Sequence, residues 1–166
     1  MSAANSSKIL PTLVDYNKPF ADKVKELPGG ILTRSSDIVN WPVEVDPSAE
    51  RKGQKKIQVE LIKIVPPDES MPDEEVRAEI DRRGYRPAAP TEIADSVKIC
   101  LCELEEMRQQ EDHGQLWIAA IETVFRCPDG ARSVMCLDWG ASARRLGDYE
   151  TVDAWTSIWS FAVVRK

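Results

Sequence analysis

The sequence contains few of the residues that enzymes and metal sites most often use. It has a single histidine, His113, in the polar stretch QEDHGQ, where a solvated loop residue is the simplest interpretation. It has four cysteines, no two of which form the CxxC spacing typical of zinc sites: Cys100, Cys102, Cys127 and Cys136. We therefore expect no histidine-based catalysis, no metal site and no cofactor.

Two further absences concern membranes and nucleic acids. No apolar run approaches the roughly 20 residues that a membrane-spanning helix needs, so we do not expect insertion into a membrane. The net charge of −6 and the pI of about 5.0 disfavour nucleic acid, which is bound by clustered lysine and arginine. The N-terminal residues lack an apolar stretch long enough for a secretory signal peptide, which predicts synthesis in the cytoplasm.

The order of the predicted elements indicates an α+β fold. Alternating apolar residues predict a strand over KIQVELIKIV, residues 56–65, which Pro66-Pro67 ends. LWIAAIETVF and SVMCLDW, joined by RCPDGAR, predict a hairpin. Helical spacing predicts a short helix over about 72–84 and one longer helix over about 90–110. We expect these two helices to pack on an antiparallel sheet. The last strand, SFAVVRK, is expected to pair with strand 56–65, so that the two ends of the domain meet.

These elements divide the chain into two parts. Residues 57–166 form the predicted domain, and residues 1–56 form an N-terminal extension of modest apolar content. Residues 1 to about 15 have the composition of a terminal tail, which becomes ordered only where something docks it. The composition decides neither whether the extension packs against the domain nor whether it mediates assembly, and the oligomeric state stays open.

The segment 138–160 combines bulky aromatic residues with small and polar ones. Trp139, Trp155 and Trp159 each can bury roughly 150–250 Å² and therefore anchor the segment. The residues between them share no chemical type and provide no acid–base pair, nucleophile or ligand triad. On this pattern alone, an exposed loop whose tryptophans complete the core is as good an interpretation as a binding surface.

Three stretches carry a family resemblance: EEVRAEIDRRGYRPA, LWIAAIETVFRCPDGARSVMCLDWG and RRLGDYETVDAWTSIWSFAVVRK. Over about residues 57–166 the sequence resembles the variable proteins of diversity-generating retroelements, and DYNKPF and WPVEV before it look similar too. The resemblance implies a C-type lectin fold, which in that family commonly ends on a Phe-x-x-Val-Arg strand, as FAVVRK does here. Glu150 and Thr151 depart from the family, which has aromatic residues there, and Ala89-Pro90 replaces the usual threonine at a helix start.

In that family, copying of a template repeat randomises adenines, so that asparagine codons become many others but never those of Trp, Met, Gln, Lys or Glu. Alignment on the landmarks L-x-W, R-x-L, W-x-S and F-A-x-V-R-K implies a variable, ligand-binding role for a set of residues that are all reachable in this way: Asp138, Gly140, Arg145, Gly147, Tyr149, Asp153, Thr156 and Ile158. Trp139, Trp155 and Trp159 are unreachable and are the expected scaffold of the site.

The function that the resemblance implies is non-enzymatic binding of a protein or cell-surface ligand. Calcium-dependent binding is not expected, because neither Glu-Pro-Asn nor Trp-Asn-Asp occurs to supply oxygen ligands. We expect Tyr149 and Arg145 to dominate affinity, and an edge of Trp159 or Trp139 to reach the ligand. Tyr149→Ala and Arg145→Ala are expected to leave the melting temperature within a few degrees.

Two alternatives stay open. One is a relative whose loop is fixed and whose genome lacks a retroelement, which the protein sequence does not distinguish from a diversified protein. The other is an enzyme on a related fold, of the formylglycine-generating type, which would use Cys127 and Cys136 as its pair of active-site cysteines.

Overall fold

The computed structural model of the protein describes residues 8–27, 33–34 and 37–166. Within these ranges the chain forms four α-helices: Phe20–Glu26 (α1), Asp73–Arg82 (α2), Pro90–Ile99 (α3) and Leu101–Gln110 (α4). The strands are Lys8–Asp15 (β1), Thr33–Arg34 (β2), Val43–Val45 (β3), Gln54–Ile62 (β4), Ser70–Met71 (β5), Tyr85–Pro87 (β6), Leu116–Arg126 (β7), Arg132–Trp139 (β8), Arg144–Glu150 (β9), Trp155–Thr156 (β10) and Trp159–Arg165 (β11). The predicted α+β class is confirmed. No helix within the described ranges is both long and apolar enough to cross a bilayer.

Nine of the strands form one mixed sheet in the order β1-β4-β11-β7-β8-β9-β2, with β3 paired to β7 and β6 to β11. The expectation of a purely antiparallel sheet is wrong, because β11 runs parallel to β7 and β2 runs parallel to β9. Parallel strands need a crossover connection. Since β9 and β11 run in the same direction, the chain between them, residues 151–158, crosses one face of the sheet. We call these residues the crossover segment.

The predicted pairing of the last strand with strand 56–65 is confirmed. β11 lies antiparallel beside β4, with Ala162 opposite Leu61 and Val164 opposite Val59. β11 also lies inside the sheet, between β4 and β7. A strand in that position is buried on both faces, which explains why its apolar residues run consecutively instead of alternating with polar ones.

The expectation of a terminal tail is wrong for its described part. Residues 8–15 form β1, which lies antiparallel to β4 and buries Leu10 and Val14. Pro11 interrupts the strand pattern in the sequence, but a proline is tolerated in an edge strand, where one side of the backbone has no partner. Residues 1–7 lie outside the described residues.

The expected boundary after residue 56 falls inside β4. Val24 of α1 and Ile38 belong to the same hydrophobic core as Leu61. Arg51 forms a bidentate ion pair with Glu122 of β7, in which Nη2 lies 2.9 Å from Oε2. The described residues before position 57 therefore pack into the sheet and core of the rest of the chain.

The single helix predicted over residues 90–110 is two helices. The backbone leaves helical geometry at Cys100 (φ −111°, ψ 38°), which ends α3 and precedes α4. The thiol of Cys100 donates to the carbonyl of Pro11 over 3.4 Å, which ties the break to β1. The bend lets Val97 of α3 and Leu104 of α4 reach the same core. The expectation of two helices is therefore also wrong in number.

The sheet divides the core into two halves. One face, which we call the α3 face, is covered by α1, α3 and α4 and carries Met135, Leu137 and Trp139 of β8. The other, which we call the α2 face, is covered by α2 and the crossover segment and carries Val134 and Cys136 of the same strand. Successive residues of a strand point to opposite faces, so the strand register assigns the residues of the predicted site to one face or the other.

Candidate functional site

One row of residues crosses three strands on the α2 face. In the register of β7, β8 and β9, Trp117 lies opposite Asp138, and Asp138 lies opposite Arg145. Asp138 is two residues from Cys136, so the whole row points to the α2 face. Trp117 and Asp138 are half-buried and Arg145 is exposed. The row is therefore reachable from solvent at this edge of the face.

Two further predicted residues follow on the same face. Cys136 lies opposite Gly147, and Val134 lies opposite Tyr149. Gly147 is buried and Tyr149 is half-buried against the core of this face. The strand register therefore brings Asp138, Arg145, Gly147 and Tyr149 together.

Gly140 follows β8, at the turn between β8 and β9. Its N–H donates to the carbonyl of Ala143 over 2.8 Å. A Cβ atom at Gly140 would lie 2.8 Å from Oε1 of Gln115 and 3.1 Å from the Ala143 carbonyl oxygen. The end of the flexible Gln115 side chain can move, but the carbonyl belongs to the turn itself. Position 140 thus accepts a side chain only with a local adjustment of the backbone.

The remaining predicted residues lie on the crossover segment. Asp153 is exposed, and Thr156 is half-buried opposite Ser70 in the ribbon of β10 and β5. Ile158 is 51% exposed, and its carbonyl accepts a hydrogen bond from Nζ of Lys63 over 3.1 Å. These residues approach the α2 face from outside the sheet. Tyr149 links them to the predicted residues of β8 and β9.

Tyr149 holds the crossover segment through its ring and its hydroxyl group. The ring stacks on Trp155 with centroids 4.4 Å apart, and the hydroxyl donates to the Ala154 carbonyl over 2.7 Å. Burial raises the pKa of the Tyr149 phenol above its ordinary value, and the charge of nearby Asp153 raises it further. We therefore no longer expect Tyr149→Ala to leave the melting temperature within a few degrees. Its loss should lower stability, because this side chain supports the loop around it.

An aromatic cluster anchors the crossover segment to the α2 face. Trp155 packs edge-to-face on Trp159 and on Phe161, each with centroids 5.1 Å apart. Trp159 also contacts Tyr149 at 5.0 Å and Trp117 at 5.6 Å. Such ring pairs contribute about 0.5–1.5 kcal/mol each beyond the area that they bury. The short strand of the segment, β10, pairs with β5 in a separate ribbon, so the cluster and the Thr151 N–H bond to the Arg132 carbonyl attach the segment to the main sheet.

Two of the three expected scaffold tryptophans belong to this cluster. Trp155 is fully buried, and its indole N–H donates to Oδ1 of Asp73 at the start of α2 over 2.9 Å. Trp159 is buried as well. Trp139 points to the α3 face, is 1% exposed and lies 4.9 Å from the guanidinium of Arg144. An edge of Trp139 therefore does not reach a ligand on the α2 face, contrary to expectation.

Asp138 supplies the carboxylate of the row. Its Oδ1 is buried and has no hydrogen-bond partner among the residues that the structure describes. Burial raises the pKa of the Asp138 carboxyl above its ordinary value, and the positive charge of Arg145 opposes this shift. Among the described residues, Asp138 and Arg145 do not form an ion pair, although they face each other across two strands. The row therefore holds a partly desolvated negative charge.

A cavity of about 970 Å³ opens beside the row. Its lining comes from the end of β4, the loop before β7 and the end of the crossover segment, and includes Lys63, Pro66, Glu111, Gln115, Trp117 and Ile158. Trp117 lines the cavity and also begins the row, so it belongs to the site, although it is not among the site residues predicted from the sequence. The alternation of LWIAAI, together with the hairpin pairing, is the signal that would have placed it opposite Asp138.

The cysteines do not form a reactive pair. All four are free, and Sγ of Cys127 lies 3.1 Å from Oγ of Ser133. Burial raises the pKa of the Cys136 thiol to about 12, and the carboxylates of Asp148 and Asp138 add to this effect. A nucleophilic cysteine needs a lowered pKa instead. Within the described ranges, no three His, Cys, Asp or Glu side chains are grouped to hold a metal ion.

Comparison with known proteins adds no assignment. The sequence matches no protein-family model, and no curated protein or solved structure is significantly similar to it. The family and the C-type lectin fold are therefore inferred from the sequence resemblance, and the site from the geometry of the α2 face.

Proposed function

We propose that this chain is a non-enzymatic ligand-binding protein with a C-type lectin-like fold, whose binding surface is diversified by retroelement-directed adenine mutagenesis. The surface consists of the α2-face row, the neighbouring positions of β8 and β9, and the crossover segment. Its ligand is a protein or a cell-surface group. The positions that vary are those predicted from the sequence: Asp138, Gly140, Arg145, Gly147, Tyr149, Asp153, Thr156 and Ile158.

One observation carries the proposal. Within β8 and β9, the residues that adenine mutagenesis can reach alternate with residues that act as landmarks of the family. Asp138 and Arg145 point to the α2 face, whereas Trp139 and Leu146 point into the core of the α3 face, where each is 1% exposed. Strand alternation therefore separates changeable positions from fixed ones.

This separation has an energetic consequence. A substitution at an exposed position usually changes stability by no more than about 0.5 kcal/mol, whereas a large-to-small substitution in the core costs about 2–5 kcal/mol. Native proteins have only about 5–15 kcal/mol of stability in total. A surface that varies at many positions at once is therefore tolerated only where most of the varied residues lie outside the core, as Arg145, Asp153 and Ile158 do. The larger costs are expected at Gly147, which is buried, and at Tyr149, which packs on the core.

Two matched libraries test this consequence. In the first, the proposed variable positions carry NNC codons, which reproduce adenine mutagenesis of AAC. In the second, the same codons occupy an equal number of buried α3-face positions: Leu104, Leu116, Ile118, Met135, Leu137, Leu146, Ala162 and Val164. Protease resistance of the displayed proteins reports folding.

We expect most members of the first library to resist protease and few members of the second. Position 140 should accept fewer residue types than positions 145 and 153, because of the close Ala143 carbonyl. Equal survival of the two libraries, or loss of folding in both, would contradict a display surface.

A second test separates the proposal from a fixed-sequence relative. The genomic DNA around the gene should contain a near-identical repeat with adenines at the codons of the variable positions, next to a reverse transcriptase gene. If sequencing finds neither, the α2 face is the binding site of a fixed interaction protein and the diversification is rejected.

A further inference from the structure

We propose that Trp117 and Asp138 form a subsite for one positively charged side chain, lysine or arginine, of a protein ligand. This inference rests on the proposed binding function of the α2 face and names the chemistry that the face recognises in its ligand. Trp117 would supply an aromatic wall and Asp138 a carboxylate.

The first argument is the juxtaposition of the two side chains. Trp117 and Asp138 are directly opposite each other in the β7–β8 pair, where Cβ atoms are about 4.5–5.5 Å apart. Trp117 is half-buried, lies against Trp159 and lines the cavity. Of the two, Trp117 lines the cavity and Asp138 is its cross-strand neighbour, so a cation bound at the indole has the carboxylate beside it. Tryptophan is the aromatic side chain that attracts cations most strongly.

The second argument is the unmet hydrogen-bonding capacity of Asp138. Oδ1 has no donor among the described residues and is screened from water. An apolar ligand group would desolvate this carboxylate further, which costs free energy, and an anionic group would be repelled by it. An ammonium or guanidinium group supplies both the opposite charge and the missing N–H donors.

The third argument is the state of the charges that line the cavity. Lys63 is engaged by Glu111, 3.3 Å away, and by the carbonyl of Ile158. Arg83 is engaged by a carboxylate of α2 and by the carbonyl of Lys63. Asp112, in contrast, is exposed and forms no ion pair with any residue that the structure describes. The cations of the cavity are therefore already partnered, whereas negative charge is left over.

Arg145 is an internal competitor for this subsite. It lies on the other side of Asp138 in the same row and is exposed, without an ion pair within the described part of the chain. A ligand cation and Arg145 would each stabilise the same carboxylate. Removal of Arg145 should therefore strengthen the binding of a small cation, and this sign distinguishes the subsite from plain stacking on Trp117.

The experiment uses Nα-acetyl-arginine amide as the probe and Nα-acetyl-citrulline amide as its uncharged control. Binding is followed through the indole N–H signals of the full chain in ¹H–¹⁵N spectra, with the Trp117 signal assigned by Trp117→Phe. We expect a saturable shift of the Trp117 signal with a dissociation constant on the order of millimolar for the arginine probe, and a shift at least about five times weaker for citrulline.

Three variants decide the outcome. Asp138→Asn should weaken arginine binding about tenfold, while Glu106→Gln, which removes the same charge from the exposed side of α4, should leave it within about twofold. Arg145→Ala should strengthen it about two- to fivefold. Far-UV circular dichroism checks that each variant is folded.

The subsite is rejected if arginine and citrulline shift the Trp117 signal equally, if neither shifts it, or if Asp138→Asn and Glu106→Gln behave alike. An unchanged or weaker affinity in Arg145→Ala would also overturn it. These outcomes leave the proposed function untouched as long as the variable-position library folds, whereas a library that fails to fold removes the proposed function whatever the probe does.

Discussion

Two regions of the molecule keep carboxylates away from water, and they treat them differently. Between β7 and the start of α3, Glu92 and Glu122 are buried together with the guanidinium groups of Arg51 and Arg86, and each of the four carboxylate oxygens accepts at least one hydrogen bond. On the α2 face, Oδ1 of Asp138 accepts no hydrogen bond from any residue within the described ranges.

The buried cluster is saturated with donors. Glu92 accepts hydrogen bonds from Arg86 at 2.7 and 2.9 Å, from the Tyr16 hydroxyl at 2.7 Å and from the backbone N–H of Ala89 at 2.8 Å. The last of these bonds caps α3 where the sequence has Ala89-Pro90 in place of the threonine of the resembled family. A carboxylate with a full set of donors holds the fold together, whereas one that lacks a donor has capacity for a ligand.

The largest loss of stability is expected when Glu92 is neutralised. Glu92→Gln would leave the half-buried Arg86 with Glu122, 3.3 Å away, as its remaining counter-charge in the cluster, and loss of one partner from a buried pair costs up to about 3–5 kcal/mol of unfolding free energy. Urea denaturation at pH 7 measures this loss. Glu106→Gln, an exposed change of the same kind on α4, should cost no more than about 0.5 kcal/mol.

The same variant has a signature in pH. Burial alone would raise the pKa of the Glu92 carboxyl, but the hydrogen bonds and charge of Arg86 outweigh it and hold this pKa below its ordinary value. The stabilisation by ionised Glu92 is therefore present above the unfolded-state pKa and is lost as the pH falls through the lowered folded-state pKa. The difference in unfolding free energy between wild type and Glu92→Gln should therefore become smaller as the pH is lowered. A difference that does not change with pH would contradict the ionised Glu92 carboxylate as the cause of the stabilisation.

A smaller effect is expected at Tyr149, which belongs to the ligand face but also packs on the core. Tyr149→Ala should cost about 2 kcal/mol, because the stacking on Trp155 and part of the apolar burial are lost. Tyr149→Phe keeps the ring and loses only the hydrogen bond to Ala154, which is worth about 1 kcal/mol. Denaturation followed by tryptophan fluorescence measures both, and equal losses for the two variants would show that the ring does not support the loop.

Neutralising Asp138 should not lower stability at neutral pH, in contrast to neutralising Glu92. Its folded-state pKa is raised mainly by burial, so the favourable contribution of its protonated form is present below the unfolded-state pKa and is lost as the pH rises through the raised folded-state pKa. Asp138→Asn should therefore equal or exceed wild type in melting temperature at neutral pH, and this advantage should shrink in acid. A clear loss of stability at pH 7 would mean that Asp138 is a structural residue like Glu92.

The smallest effect is expected at Arg145. This side chain is exposed, and Arg145→Ala should change the unfolding free energy by no more than about 0.5 kcal/mol. Arg86→Ala, the matched change in the buried cluster, should cost several-fold more, since it strips Glu92 of two hydrogen bonds. Similar melting curves for the two variants would erase the difference between the regions.

Periodicity in the sequence was sufficient for the elements whose residues face one core. The hairpin of β7 and β8, the helix at Asp73–Arg82 and the pairing of β11 with β4 all follow from it. Features that depend on contacts between residues distant in sequence do not follow from periodicity. The helix break at Cys100 depends on the carbonyl of Pro11, and the parallel direction of β11 depends on the path of the crossover segment.

The same distinction applies to the candidate site. The positions of Trp117 and Asp138 on one face could be predicted, because the hairpin of β7 and β8 and strand alternation determine which side chains share a face. Strand β9 could not, because the small and polar residues within 138–160 indicate an irregular segment that loops out. The support that Tyr149 gives to the crossover segment could not, since it depends on where Trp155 lands after the chain has crossed the sheet. Neither could the orientation of Trp139 away from the ligand face, which follows only once the sheet is known to be covered on both sides.

The central position of β11 also constrains how the protein is made. Residues 159–165 complete the sheet between β4 and β7, so both of those strands lack a neighbour until this stretch has left the ribosome. A nascent chain of this protein must wait with two open strand edges, which are sites of misassociation. Its folding is therefore completed after, and not during, synthesis of the segment that precedes β11.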